Sequence, residues 1–172
     1  MSNFDREVAS EILGLAQGYK ESPMFFGPVS EERIEAAERE LGVKFPRSYR
    51  SFLRNFGAAK MLGYDFDGLP DTRNSDEAMP LYLHLVDNTI DYRLAWRDWP
   101  EHFVSVTDDG GECTYWIDTS IVSEDDESPI IACFAGRRIP VAVDFIEFVR
   151  LLTQESKLYE ILSADDRETN IS

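Results

Sequence analysis

The chain has 172 residues, 43% of them apolar and 12% aromatic, and a formal net charge of −16. That length and composition suit one folded domain and exclude a disordered chain. No stretch approaches the ~18 apolar residues of a membrane span, the polar start MSNFDREVAS carries no signal-peptide run, and the acidic balance argues against direct nucleic-acid binding, which needs Lys and Arg on phosphates. The expectation is a cytoplasmic protein.

Phe4, Val8, Ile12, Leu15, Ala16 and Tyr19 form a stripe that predicts an N-terminal helix within residues 3–20. A loop with Pro23, Gly27 and Pro28 follows, its Phe25-Phe26 pair packing under the next helix. Ser30 caps that helix, with Glu31 and Glu32 in the first turn where the helix dipole favours acids. Ile34, Ala37 and Leu41 line its inner face, and Gly42 ends it. Pro46 opens a second helix whose buried stripe is Tyr49, Phe52, Leu53 and Phe56, closed by Gly57.

Residues 58–80 read as a loop, rich in turn formers such as Gly63, Gly68, Pro70, Asn74 and Pro80. Leu81, Leu83 and Leu85 alternate with Tyr82 and His84, which predicts a strand. Asp87 or Asn88 then caps a short helix bearing Ile90, Leu94 and Trp96, ending before Trp99-Pro100. Residues 103–107 and 112–118 pair as a hairpin across Asp108-Asp109-Gly110-Gly111. An acidic loop, SEDDES, occupies 123–128, with further strands at 129–134 and 139–143. Asp144 and Glu147 make a capping box for a helix that turns Phe145, Phe148, Leu151 and Leu152 inward. Leu158, Ile161 and Leu162 allow one more helical segment, and the tail frays from about Ser163. Helices at both ends of an antiparallel meander predict an α+β fold, a single domain over 1–172 with helices packed on a mostly antiparallel sheet.

The charge is uneven. Residues 1–60 carry 9 acids and 9 bases, whereas residues 61–127 carry 17 acids and 3 bases. Acidity alone serves solubility, but concentration in one folded segment points to a basic partner. The candidate contact residues are Asp65, Asp67, Asp108, Asp109, Glu112, Asp118, Glu124, Asp125, Asp126 and Glu127, with Tyr82 and Trp116 as aromatic anchors. In the strand 112–118, Cys113, Tyr115 and Ile117 share one face, and Thr114, Trp116 and Asp118 the other. Trp116 is therefore expected beside acids on the less buried face, unless a terminal helix covers it. Arg47, Arg50 and Arg54 form one basic stripe, either a solvated face paired with acids such as Glu35 and Glu38 or a second contact site.

Catalysis is poorly supported. The two histidines, His84 and His102, have no second ligand at metal spacing, and Cys113 would need one of them beside it to act as a nucleophile. Cys113 and Cys133 read as free thiols rather than a bridge. Asp108, Asp109 and Glu112 do not follow an EF-hand spacing, and no glycine-rich phosphate loop is present. Neither metal nor cofactor is expected.

The order Ser30, Ile34, Glu38, Leu41-Gly42, Phe45-Pro46, Tyr49 and Phe52-Leu53 resembles the signature of the SUKH superfamily, built on the domain of the fungal Smi/Knr cell-wall synthesis regulators. The resemblance continues through Trp99-Pro100, residues 103–106, Asp109-Gly110-Gly111, residues 115–118 and Asp144-Phe145-Ile146-Glu147-Phe148, covering about 28–152. It implies a Smi/Knr-like fold and a non-enzymatic protein. Most bacterial members are immunity proteins that neutralise a cognate toxin, often a nuclease; others are regulatory or scaffolding modules that bind a host protein.

Overall fold

The computed structural model describes residues 2–69 and 83–168, the last four without their side chains. In chain order the elements are α1 (Asn3–Gln17), β1 (Met24–Phe25), α2 (Glu31–Leu41), α3 (Arg47–Phe56), β2 (Ala59–Met61), β3 (Tyr64–Phe66), α4 (Leu85–Ala95), β4 (Phe103–Asp108), β5 (Cys113–Asp118), β6 (Ile130–Phe134), β7 (Arg137–Ala142), α5 (Phe145–Leu152) and α6 (Glu155–Glu168). Strands β4-β5-β6-β7 form an antiparallel meander, and β1-β2-β3 a smaller antiparallel sheet. The two meet where β3 lies along β4, Asp67 N–H donating to the Val106 carbonyl at 2.7 Å. Val106 sits in a bulge of β4, between Ser105 and Thr107, which leaves its carbonyl outside the ladder with β5. The fold class is α+β, as the sequence predicts.

The core is assembled by the α2–α3 unit. Gly42 takes the left-handed conformation (φ 70°) that ends α2, and Pro46 occupies the N-cap position of α3. Tyr49, Phe52, Leu53 and Phe56 are all buried; the Phe52 ring packs against Phe56, Phe66 and Phe145, and Tyr49 against Phe145. Ser30 occupies the N-cap of α2 without a side-chain capping bond. At α5 the expected box is offset by one residue: Asp144 accepts from Glu147 N–H at 2.7 Å, while Glu147 reaches back to Val143 N–H at 2.8 Å.

Three expectations change. The stretch 58–69 is not all loop, because β2 and β3 form a hairpin turning at Leu62 (φ 58°) and Gly63 (φ 79°). A left-handed leucine has no sequence signal. Leu83 and Leu85 are not in a strand: His84 makes one bridge to Gly68, and Leu85 already begins α4. Both leucines are buried because the chain passes under Gly68, so their alternation imitates a strand. Gly68 is itself held tight, a Cβ there falling 1.7 Å from the Gly57 carbonyl oxygen. Leu81 and Tyr82 lie outside the described residues. Finally, α6 runs to Glu168, past Ser163.

Both faces of the meander are covered. Tyr115 and Ile117 face the main core with Phe148 and Val104, while Trp116, Phe103 and Ile131 form a second cluster with Tyr92 and Trp99. Thr114 pairs across the ladder with Cys133, so Cys133 shares its face and Cys113 points to the other. Both cysteines are free.

Candidate partner-binding surface

The basic stripe on α3 is internal scaffolding. Glu38, 1% exposed, accepts from Phe45 N–H at 2.9 Å and pairs with Arg50 and Lys44. Arg50 also pairs with Glu31; Arg54 bridges Glu31 (2.8 Å) and Asp5 (3.2 Å), and Arg47 lies 3.8 Å from the centroid of the Phe4 ring. Asp5, a buried acid, is pushed up by burial, but hydrogen bonds from Ser2 and Ser51 and the charge of Arg54 hold it at about 2. The stripe thus ties α1 and α2 to α3. Glu35 pairs with Arg39 instead, at 3.9 Å.

The candidate acids on β5 and its flanking turns divide into two groups. Asp108, Asp109 and Glu112 crown the β4–β5 turn, whereas Asp118 and the 123–127 loop lie at the other end of β5. Six strand residues put about 17 Å between those ends. At the turn, Asp108 accepts from Gly110 N–H (2.6 Å), and Asp109 from Gly111 (2.9 Å) and Cys113 (3.1 Å). Their carboxylates shape the turn while staying exposed. None of these three acids meets a Lys or Arg among the described residues.

Beside this turn, β3, β4, β5 and α4 enclose a pocket of about 370 Å³. Asp65 and Asp108 stand at its rim, α4 contributes Asn88 and Tyr92, and Asp67, Ser105 and Trp116 form the buried floor. Asp67 is 5% exposed; its carboxylate accepts from Ser105 Oγ at 2.5 Å and Asn88 Nδ2 at 2.8 Å, and its carbonyl from the Tyr49 hydroxyl at 2.8 Å. Burial pushes the Asp67 carboxyl up to about 7, opposed by those two side-chain hydrogen bonds and reinforced by Asp108 and Asp65. Asp65 is half exposed and meets Lys60 at 3.4 Å. Among the described residues no group of three His, Cys, Asp or Glu side chains is arranged to hold a metal ion.

Several candidate residues take other roles. Trp116 is 0% exposed: α4 and the Trp99 segment, not a terminal helix, cover its face, with ring centroids 4.6 Å from Tyr92 and 4.7 Å from Trp99. Asp67 is likewise buried. Asp118 is buried and accepts from Ser120 N–H and Oγ, fixing the turn after β5. Glu127 is half buried against Ser48. Glu124, Asp125 and Asp126 are exposed, and Tyr82 lies outside the described residues. The structure therefore brings Asp65, Asp67, Asp108 and Trp116 together and leaves the 123–127 run elsewhere.

A catalytic cysteine is not assembled from Cys113 and His102. His102 lies beside Asp118 (3.5 Å), at the opposite end of the hairpin from Cys113, and burial pushes the Cys113 thiol up rather than down. Asn88, Tyr92 and Ser105 were not visible as site residues in the sequence. Nothing in their spacing relates a helix at 85–95 to a strand at 103–108 until the chain folds.

No helix among the described residues is long and apolar enough to cross a membrane. The model of the SMI1 / KNR4 family (SUKH-1) matches residues 28–151, which contain the α2–α3 unit, the four-stranded sheet, β2 and β3 of the smaller one, the acidic pocket and nearly all of α5. The matched region leaves out only α1, β1 and α6 among the elements, and the chain belongs to the SMI1 / KNR4 (SUKH-1) family.

Proposed function

We propose that this protein is an immunity protein, a non-enzymatic inhibitor that binds one cognate toxin domain with a basic surface, most simply a nuclease. The family includes toxin-immunity proteins. The observation that carries the reading is the exposed set Asp108, Asp109 and Glu112 on the β4–β5 turn, beside a pocket whose rim is formed by Asp108 and the half-exposed Asp65, with Lys60 at Asp65 the one Lys or Arg paired with these acids among the described residues. A dense carboxylate field of this kind imitates a phosphate backbone and steers a basic partner, raising on-rates about 10- to 1,000-fold at low salt. Covering the active site of such a toxin needs complementarity and no chemistry, which suits a chain whose thiols are held protonated by burial.

The test is affinity purification of the tagged chain from its host, followed by expression of the recovered partner alone. The expected partner is basic, arrests growth on its own, and loses its toxicity when this chain is co-expressed. A partner that is harmless alone overturns the immunity reading in favour of a scaffolding module.

A further inference from the structure

Among the described residues, Asp67 is a buried carboxylate with no cation beside it. It is 5% exposed, and its oxygens are met only by the neutral donors Ser105 Oγ and Asn88 Nδ2. A carboxylate can accept about four hydrogen bonds, so roughly half its capacity is unused. Asp67, Ser105 and Asn88 all line the pocket of about 370 Å³, so the carboxylate stands in its wall. A buried charge without a partner is costly, and burial accordingly pushes this carboxyl up to about 7. Asp65 and Asp108 stand at the rim, with Tyr92 half-buried beside them. Lys60, 3.4 Å from Asp65, is the one Lys or Arg paired with any of the three acids among the described residues. The nearest arginines are engaged elsewhere. Arg93 donates to the carbonyls of Leu41 and Glu101. Arg138 lies across two strands from Thr114, ~10 Å away along the sheet, over the Trp99 and Phe103 rings, and does not line the pocket.

We propose that this pocket receives a single arginine side chain of the protein partner, its guanidinium on the Asp67 carboxylate between Asp65 and Asp108 and beside the Tyr92 ring. The inference rests on the reading that a basic partner covers this face, and it names what that partner inserts. The volume is at the small end of the ~300–1,000 Å³ typical of ligand sites, which suits one side chain rather than a peptide segment. The missing charge is supplied by the occupant, and the unused acceptor positions of Asp67 match its donors. A guanidinium fits better than an ammonium: it is more weakly hydrated, so it enters a buried site at lower cost, its planar fork binds a carboxylate through two parallel bonds, and it stacks on an aromatic ring.

The test titrates the isotope-labelled full chain with N-acetylarginine amide, at constant ionic strength and at pH 8, where the Asp67 carboxyl is ionised. Nuclear magnetic resonance reads the side-chain N–H signals of Asn88 and Trp116 in the pocket, and of Asn55, which bonds to Asp5 and Ser51, away from it. The expected result is a saturable shift of Asn88 and Trp116 with a Kd in the low millimolar range, and none at Asn55. N-acetylcitrulline amide, the neutral isostere, should move neither, and N-acetyllysine amide should bind at least 3-fold more weakly. Asp67→Asn should weaken binding at least 5-fold, and so should Asp65→Asn with Asp108→Asn, a pair that leaves the buried wall intact should Asp67→Asn lose the wild-type circular dichroism. The same variants should weaken the partner recovered by affinity purification at least 10-fold, with Glu40→Gln, an exposed acid of α2, changing it less than 2-fold. No saturable shift, or an equal one from the citrulline probe, overturns the pocket and leaves the immunity reading standing; equal binding of the lysine probe overturns the assignment to arginine. A pocket that binds the probe while both variants hold the partner within 2-fold serves a free guanidino compound, which also overturns the proposal. A partner that is weakened by the variants but harmless on its own sustains the pocket and overturns the immunity reading.

Discussion

Glu127 caps helix α3 from 79 residues away in sequence: its two carboxylate oxygens accept from Ser48 N–H at 2.9 Å and Ser48 Oγ at 2.6 Å. The helix needs this help, because Pro46 occupies its N-cap and has no side-chain acceptor to offer. The next backbone group is satisfied by the same loop, Arg47 N–H donating to the Asp126 carbonyl at 2.9 Å. The most acidic run in the sequence is thus partly a structural clamp between the β5–β6 connection and the core helix.

Glu127→Ala should cost about 1–2 kcal/mol, the range for loss of a helix cap. Burial pushes the Glu127 carboxyl up while the Ser48 hydrogen bonds pull it down. Replacing Glu124 and Asp125 together with Lys should change stability by less than about 0.5 kcal/mol, since both are exposed. Urea denaturation of the two variants separates clamp from surface; equal losses would contradict the assignment.

Asp67 predicts a pH dependence of the opposite sign to the usual acid. Its folded-state pKa is raised to about 7 from 3.8, so the folded protein holds this proton more tightly than the unfolded chain. Stability from this group is full below about pH 4 and is lost as pH rises through 7, the loss being on the order of 4 kcal/mol. Asp5, lowered to about 2, acts in reverse, its contribution being present above about pH 4 and lost as pH falls toward 2. Asp67→Asn should flatten the fall between pH 5 and 8, its amide serving both Ser105 and Asn88. A wild-type chain whose urea midpoint is unchanged from pH 5 to 8 would refute the shift.

The α2–α3 unit was legible because most of its signals are local: acids in the first turn of α2, a left-handed glycine, a proline start and an apolar stripe, the cap from Glu127 being the non-local part. The β4–β5 hairpin was legible for the same reason, in its Asp-Gly turn. Trp116 was not, because alternation tells which residues share a face but not what covers that face; α4, eleven residues with apolar side chains on all sides, carries no amphipathic signal to announce its docking. The pocket was legible only as scattered acids. Asp65 and Asp108 come together because β3 pairs against a bulge in β4, a non-local event that no spacing records.

Glu38 and Arg50 should show strong coupling. Glu38 is buried and Arg50 mostly so, and removing one partner strands the other's charge. Either Glu38→Ala or Arg50→Ala should cost about 3–5 kcal/mol, and the double variant clearly less than the sum. Additive losses in a double-mutant cycle would show that the pair is not coupled.

Phe52 sits at the centre of the ring cluster, fully buried against Tyr49, Phe56, Phe66 and Phe145. Phe52→Ala should destabilise by about 3–5 kcal/mol. A loss under about half a kcal/mol, measured by denaturant unfolding, would place the inner face of α3 elsewhere.

The division of the acids into two groups makes the surface testable by charge reversal. Asp65, Asp108, Asp109 and Glu112 changed together to Lys should abolish protection against the toxin, whereas the same change at Glu124, Asp125 and Asp126 should leave most of it. Asp67 and Asp118 are kept out of both sets because their side chains are buried and bonded. Glu7, Glu32 and Glu40 provide the control, being exposed acids on α1 and α2; Glu11 and Glu31 are unsuitable, since they pair with Arg150 and with Arg50 and Arg54. The turn variants should remain folded, because Asp108 and Asp109 contribute only local turn bonds. Association of the wild-type chain should slow steeply between low and physiological salt, where the screening length shortens to ~8 Å, and the pocket-rim reversal should remove that dependence. If all three sets weaken protection equally, the acidity acts as a bulk property and the contact lies away from the pocket.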